Sequence, residues 1–252
     1  MKELTAEEAI KEWNTFIGYI NKYITGERKE KLLKFYSDRQ ERIMFMPASG
    51  NEHFHGAFPT GYLIHVNRVI QGALDLTEIW KKHGSPLNFT EEELVFAALN
   101  HDIGKYGTDE HPYYIPNDSE WHRKNQGKIY EHSSDVSKMT VPDRSILILT
   151  EHGITFNENE YLAIKTHDGL YEEANKFYLL QAYTWKQKPR TALLYVLHHA
   201  DMMASRIEFE EWRDNFRDAA PIKKAYAKKT LSTKSVTLSK SACAALDELF
   251  KS

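Results

Sequence analysis

The chain has 252 residues, 41% of them apolar and 27% charged, and a net charge of −3. These values suit a globular chain of one large domain or two small ones, and exclude a surface built throughout for nucleic acid while leaving room for a local basic patch. Cys243 is the single cysteine among twelve histidines. Neither an internal disulfide nor a thiolate zinc finger can form, a reducing compartment fits, and any metal chemistry turns toward nitrogen and oxygen ligands.

The opening residues, MKELTAEEAIKEW, are charged and lack the apolar core of a signal peptide. No run approaches the roughly 18–20 apolar residues that span a bilayer. A cytoplasmic protein with no membrane association is the expectation.

Nearly every segment has helical periodicity, so the predicted fold class is all-α. Residues 5–24 start at Thr5 with Glu7 and Glu8 and space Ile10, Trp13, Phe16, Ile17 and Ile20 on one side. A short helix is predicted at Glu27–Phe35. The stretch MPASGNEHFHGAFPTG is non-periodic. A helix is predicted at Gly61–His83, and the next opens at Thr90 with Glu93 three residues on, a capping box. Residues 105–131 form a long polar loop whose Tyr113, Tyr114, Trp121 and Tyr130 argue against disorder. Further helices are predicted at Ser133–Leu149, over NENEYLAIKTHDG up to Gly169, and at 189–215, the longest. The Lys-, Ser- and Thr-rich tail holds a helical patch near Ala244–Phe250 and the run KKAYAKK, expected to be a solvated face.

Several His and Asp residues fall where packed helices can bring them to one point. His65 lies in YLIHVNRVI, His101 and Asp102 end the apolar run AALNHD, His132 follows the aromatic loop, His167 ends YLAIKTH, and Asp201 sits in YVLHHADMMAS. Each interval holds one helix, a connection and a return. Imidazole and carboxylate together suit Mn, Fe, Co, Ni or Zn, with Mg also admitted. The set is large enough for one or two ions, and two ions can clamp a phosphoryl group. Asp201, surrounded by apolar helix positions, needs a metal, a cation or good hydrogen bonds if it is buried.

The order His65, His101-Asp102, Asp201 resembles the HD-domain superfamily of metal-dependent phosphohydrolases. MPASGNEHFHGAFPTGYLIHVNRV, NHDIGKY, YEHSSDVS, NEYLAIKTHDGLY and LHHADMMAS resemble successive blocks of its small bacterial and phage members, over roughly residues 44–210. The resemblance implies a compact helical bundle at 44–215 around a central metal site, with 1–43 as a helical extension packed on it and 216–252 as a tail. It implies His65, His101, Asp102 and Asp201 as core metal ligands, His132 and His167 as ligands of a second ion, and Asp102 as the bridge. Lys105 would face the phosphate, and His55 would serve substrate or a water. Tyr113, Tyr114 and Trp121 would stack a nucleobase as a lid, or simply pack the loop. Arg206 would meet a phosphate or pair with a nearby glutamate such as Glu208. His152 would be a helix-terminal residue, and His198 and His199 structural histidines.

The chain departs from the family at PTGYLIH, at Glu131 and at His167-Asp168-Gly169, where Asp168 adds a carboxylate without an assigned role. The implied activity is hydrolysis of a phosphoester, of a nucleotide or short nucleic acid, by a metal-activated water. Two other classes share such ligands: a mixed-valence diiron oxygenase, and a nucleotide sensor without turnover. Neither metal identity nor oligomeric state follows from the sequence.

Overall fold

In the computed structural model, which describes residues 4–216 apart from 53, 181–185 and 187, together with 239–241, 243 and 244, the chain is mainly helical. The helices are α1 (Ala6–Tyr23), α2 (Gly26–Asp38), α3 (Gln40–Phe45), α4 (Gly61–Lys82), α5 (Glu91–Asn100), α6 (Glu120–Gln126), α7 (Val141–Glu151), α8 (Glu158–Thr166), α9 (Lys176–Leu179) and α10 (Leu193–Phe216). The KKAYAKK run, and the helical patch beyond Ala244, lie outside the described residues.

Local chemistry sets the helix starts. Thr5 and Thr90 each accept from the backbone N–H three residues on, while Glu8 and Glu93 reach back to the cap N–H. Asn157 and Glu160 close the same reciprocal box at the start of α8. Each such cap is worth about 1 kcal/mol.

Four helices form a closed ring: α4 packs on α5, α5 on α8, α8 on α10, and α10 back on α4. α1 lies across α4 and α5. Its Trp13, Phe16 and Ile20 belong to the same buried cluster as Leu63, Val66 and Ile70 of α4, Phe96 and Leu99 of α5, Ile164 of α8 and Val196 and Leu197 of α10. Each such side chain contributes about 1.5–3 kcal/mol by leaving water. Residues 6–45 share this core and have no separate one.

Two expectations are corrected. The segment 105–131 is not a structureless loop. Strand β1 (Tyr114–Pro116) pairs antiparallel with β2 (Tyr130–His132), in the register Tyr114↔His132, Ile115↔Glu131, Pro116↔Tyr130, and α6 forms the crossing between them. The helix expected from Ser133 begins only at Val141. Thr140 caps it through the Asp143 N–H, and Pro142 stands in its first turn, where a missing N–H costs nothing. Residues 133–140 are extended or turning. Among the described residues, no helix is long and apolar enough to cross a membrane.

Candidate metal centre

His65 stands on the second turn of α4, buried among apolar neighbours. His101 is the C-cap of α5 and His167 the C-cap of α8. The two helix ends use one device. His101 donates its Nδ1–H to the Ala98 carbonyl at 2.8 Å, and His167 donates its Nδ1–H to the Ile164 carbonyl at 2.8 Å, each three residues back. In both, Nε2 is left to face inward. His65 is held likewise by a carboxylate: its Nδ1–H donates to Glu208 Oε2 at 3.1 Å. Fixing one ring nitrogen so that the other presents a lone pair is the usual support of a ligating histidine.

Asp102 lies between these rings and divides its oxygens. Oδ2 is 3.6 Å from His65 Nε2 and 3.5 Å from His101 Nε2, while Oδ1 is 3.6 Å from His167 Nε2. Asp201 Oδ1 stands 3.1 Å from His65 Nε2. The Nε2 atoms of His65 and His101 are buried with no hydrogen-bond partner. Separations of 3.5–3.6 Å are long for a hydrogen bond. They suit two donors sharing a cation: with bonds of ~2.1 Å at a tetrahedral angle, such donors lie ~3.4 Å apart. One nitrogen or oxygen each from His65, His101 and Asp102 fall within 4.8 Å of one another, so this buried trio can hold a metal ion. The orphaned nitrogens and the mixed imidazole–carboxylate chemistry therefore fit the implied group.

The electrostatics are those of strong mutual dependence. Burial opposes a charge on His65, but Glu208 and Asp201 overcome it and lift the imidazole to about 10. Burial likewise opposes a charge on His167, but Asp168 and Asp102 raise it to about 9. His101 has no compensating carboxylate strong enough, and burial lowers it to about 4. Asp102 and Asp201 are both held well below the usual carboxylate range, despite burial, by the cations and imidazoles beside them.

The turn after His101 is built on close approach. Gly104 donates its N–H to Ser145 Oγ, whose hydroxyl donates to the His101 carbonyl, both at 2.8 Å. A Cβ on Gly104 would lie 2.2 Å from the Val141 carbonyl oxygen. The glycine is required by the approach of α7, rather than by a turn away from the site. Lys105 donates to Asp102 Oδ2 at 2.6 Å, so its ammonium meets the pair itself and not open space. Asp102 raises Lys105 against the effect of its burial.

Of the other expected site residues, His55 is brought in. Its ring centroid is 4.6 Å from that of His65, its Nε2 is buried without a partner, and burial lowers it to about 4. Tyr114 is partly buried and its hydroxyl lies in the field of Lys105 and Asp102; burial raises it to about 12. Tyr113 packs against Tyr114, with ring centroids 4.9 Å apart. His132 is not brought to the cluster. It is exposed on β2 with its ring 4.7 Å from Tyr113 and 5.4 Å from Tyr114, because the strand pairing fixes it beside the ribbon aromatics. Trp121 is 60% exposed on α6 and meets the ring of its neighbour His122 edge to face.

Arg206 donates to the Tyr171 hydroxyl at 2.6 Å and pairs with neither Glu208 nor its other acidic neighbours. His152 donates Nδ1–H to the Ile148 carbonyl and accepts from Arg39, as suits a helix end. His198 donates Nδ1–H to the His167 carbonyl at 2.8 Å, and the His199 ring lies 6.4 Å from Trp80.

Glu208 is the residue the sequence reading placed elsewhere. It is buried, and α10 sets it two turns after Asp201 on the same face. The two carboxylates flank His65: Glu208 bonds its Nδ1, and Asp201 Oδ1 stands 3.1 Å from its Nε2. A carboxylate seven residues beyond a candidate helical ligand was the available signal.

Comparison with protein families, with curated proteins and with solved structures finds no match.

Proposed function

We propose that the chain is a metal-dependent phosphohydrolase of the HD type, acting on a phosphoester of a nucleotide or short nucleic acid. The observation that supports this is the set of imidazole Nε2 atoms held 3.5–3.6 Å from the oxygens of Asp102. His65, His101, Asp102 and Asp201 would hold a first divalent cation. His167, reached by the other oxygen of Asp102, would help hold a second. Cations bound there acidify a water and neutralise the charge of a phosphoryl group.

The chain's own groups supply the rest. His101 and His167 keep Nε2 free because the carbonyls of Ala98 and Ile164 hold the opposite nitrogens. Lys105, which donates to Asp102 Oδ2 here, would offer its ammonium to a phosphate oxygen if that carboxylate oxygen held a cation instead. His55, kept neutral at about 4 by burial, has an unbonded Nε2 that can take a proton from water or hold that water in place. Tyr113 and Tyr114 border the site and offer ring faces to a base.

The test is metal analysis of the purified protein, then phosphate release from mono-, di-, tri- and cyclic nucleotides with Mn, Co, Ni, Fe and Mg. His101→Ala should lose bound metal and turnover while keeping its helical circular dichroism. Full activity of a metal-free His101→Ala/Asp102→Ala protein would overturn the reading. Two irons per chain with oxygen consumption and no phosphate release would replace it with an oxygenase.

A further inference from the structure

The turn that follows His167 and Asp168 leaves several apolar side chains in water. Leu170 and Tyr171 of the 3₁₀ turn Gly169–Tyr171 are 49% and 78% exposed, and Phe177 of α9, which packs on that turn, is 63% exposed. Large apolar groups gathered on one exposed surface mark a place where something binds.

Tyr171 is not free to swing. Its backbone N–H donates to the Asp168 carbonyl at 3.4 Å, and its hydroxyl accepts from Arg206 of α10 at 2.6 Å. The turn itself is clamped. Gly169 has φ +59°, a Cβ there would fall 1.9 Å from His198 Cε1, and the buried Asn175 donates to the Gly169 carbonyl at 3.0 Å. With the hydroxyl committed, what Tyr171 offers a ligand is its ring. Arg206 is exposed and pairs with no carboxylate among the described residues, so an uncompensated guanidinium stands beside that ring.

Both groups are rooted at the metal centre. Asp168, three residues before Tyr171, has its Oδ1 3.6 Å from His167 Nε2. Arg206 follows Asp201 on α10 by five residues, about 7.5 Å along the axis.

We propose that Tyr171 and Arg206 form a nucleotide-recognition site: the Tyr171 ring stacks a nucleobase, and the guanidinium that braces the ring takes a phosphate oxygen beside the base. This rests on the phosphohydrolase reading above and deepens it by naming residues that choose the substrate. A protein surface would use the apolar groups alone. A held aromatic face next to an unpaired guanidinium matches a nucleotide, which brings a π-face for the ring and a charge for the cation.

The experiment uses full-length protein with Mg²⁺ and two fluorescent probes that resist cleavage. One is a single-stranded DNA hexamer with a 2-aminopurine base and phosphorothioate linkages, and the other is the 5′-methylenephosphonate of 2-aminopurine riboside. Stacking quenches this base. Wild type, Tyr171→Leu, Tyr171→Trp and Arg206→Gln are titrated, with thermal unfolding as the fold control. Tyr171→Leu should bind about 5–100-fold more weakly and lose the quench, and Tyr171→Trp should keep both. Arg206→Gln should flatten the salt dependence of hexamer binding by a slope of about 0.7, the share of one phosphate contact. Tyr171-dependent binding of the hexamer assigns the site to single-stranded nucleic acid, and of the phosphonate alone to a free nucleotide. Wild type that binds neither probe, unchanged affinity and quench in Tyr171→Leu, or a wild-type dimer that Tyr171→Leu dissociates each overturns the assignment and leaves the phosphohydrolase reading standing. Tyr171-dependent binding without phosphate release from any phosphoester keeps the assignment and overturns the hydrolase.

Discussion

Glu208→Gln is the most informative single change. The amide keeps the volume of the side chain and can still accept from His65 Nδ1–H, but it removes the charge that is the chief attraction raising His65. In the metal-free protein His65 is raised to about 10, above an ordinary value near 6.5. A raised histidine contributes stability that is fully present below about pH 6.5 and is lost as pH rises through about 10. At about 1.4 kcal/mol per pH unit the whole effect is on the order of 5 kcal/mol. His65 is almost wholly buried, so solvent screening takes little from it. Glu208 and Asp201 share the attraction, so removing one charge should cost roughly 2–3 kcal/mol at pH 6. In a chain of this size that is about 5–10 °C in Tm.

Urea unfolding of metal-free wild type and variant at pH 6 and pH 9 reads this directly: the difference between them should shrink at the higher pH. Metal affinity should also fall about 10–100-fold, because His65 loses the partner that orients it and strengthens its basicity. A variant with wild-type unfolding at both pH values and wild-type affinity would refute the account of Glu208.

On the acid side, His101 is lowered to about 4, so the folded state resists the proton that the unfolded chain accepts. Stability of the metal-free protein should fall as pH drops from about 6.5 to about 4, by about 3 kcal/mol from His101; a flat denaturation profile across that window, compared with His101→Gln, would count against it. Gly169→Ala should lower Tm by several degrees and weaken metal binding, because the left-handed backbone and the His198 ring both exclude a Cβ; differential scanning calorimetry and a Mn²⁺ titration check it. Arg28→Ala should destabilise by about 3 kcal/mol, because it strips the 2.6 Å partner from the fully buried Glu160 carboxylate and from Glu92. Chemical denaturation measures that loss, and a change below about 0.5 kcal/mol would show that the Asn157 cap alone satisfies Glu160.

Much of this protein is local, and the sequence alone determines it. Thr5 with Glu8 and Thr90 with Glu93 mark helix starts because a cap needs only residues three apart. The apolar run ending at His101 and Asp102 is buried on every side, as its unbroken apolar character requires, with the polar pair at its end. The order His65, His101-Asp102, His167, Asp201 lies on four helices that the structure packs into one ring. Only tertiary structure decided what depends on which distant surface each residue meets. His132 shares a residue type with His167, but β-pairing with Tyr114 holds it aside. Asp168 lies 3.6 Å from His167 in a turn that His198, from another helix, pins through the His167 carbonyl. Glu208 reads as a charge on a helix edge until α4 brings the His65 nitrogen to 3.1 Å from it. Capping is written within one turn of chain, whereas a ligand set depends on how helices far apart in the chain pack together.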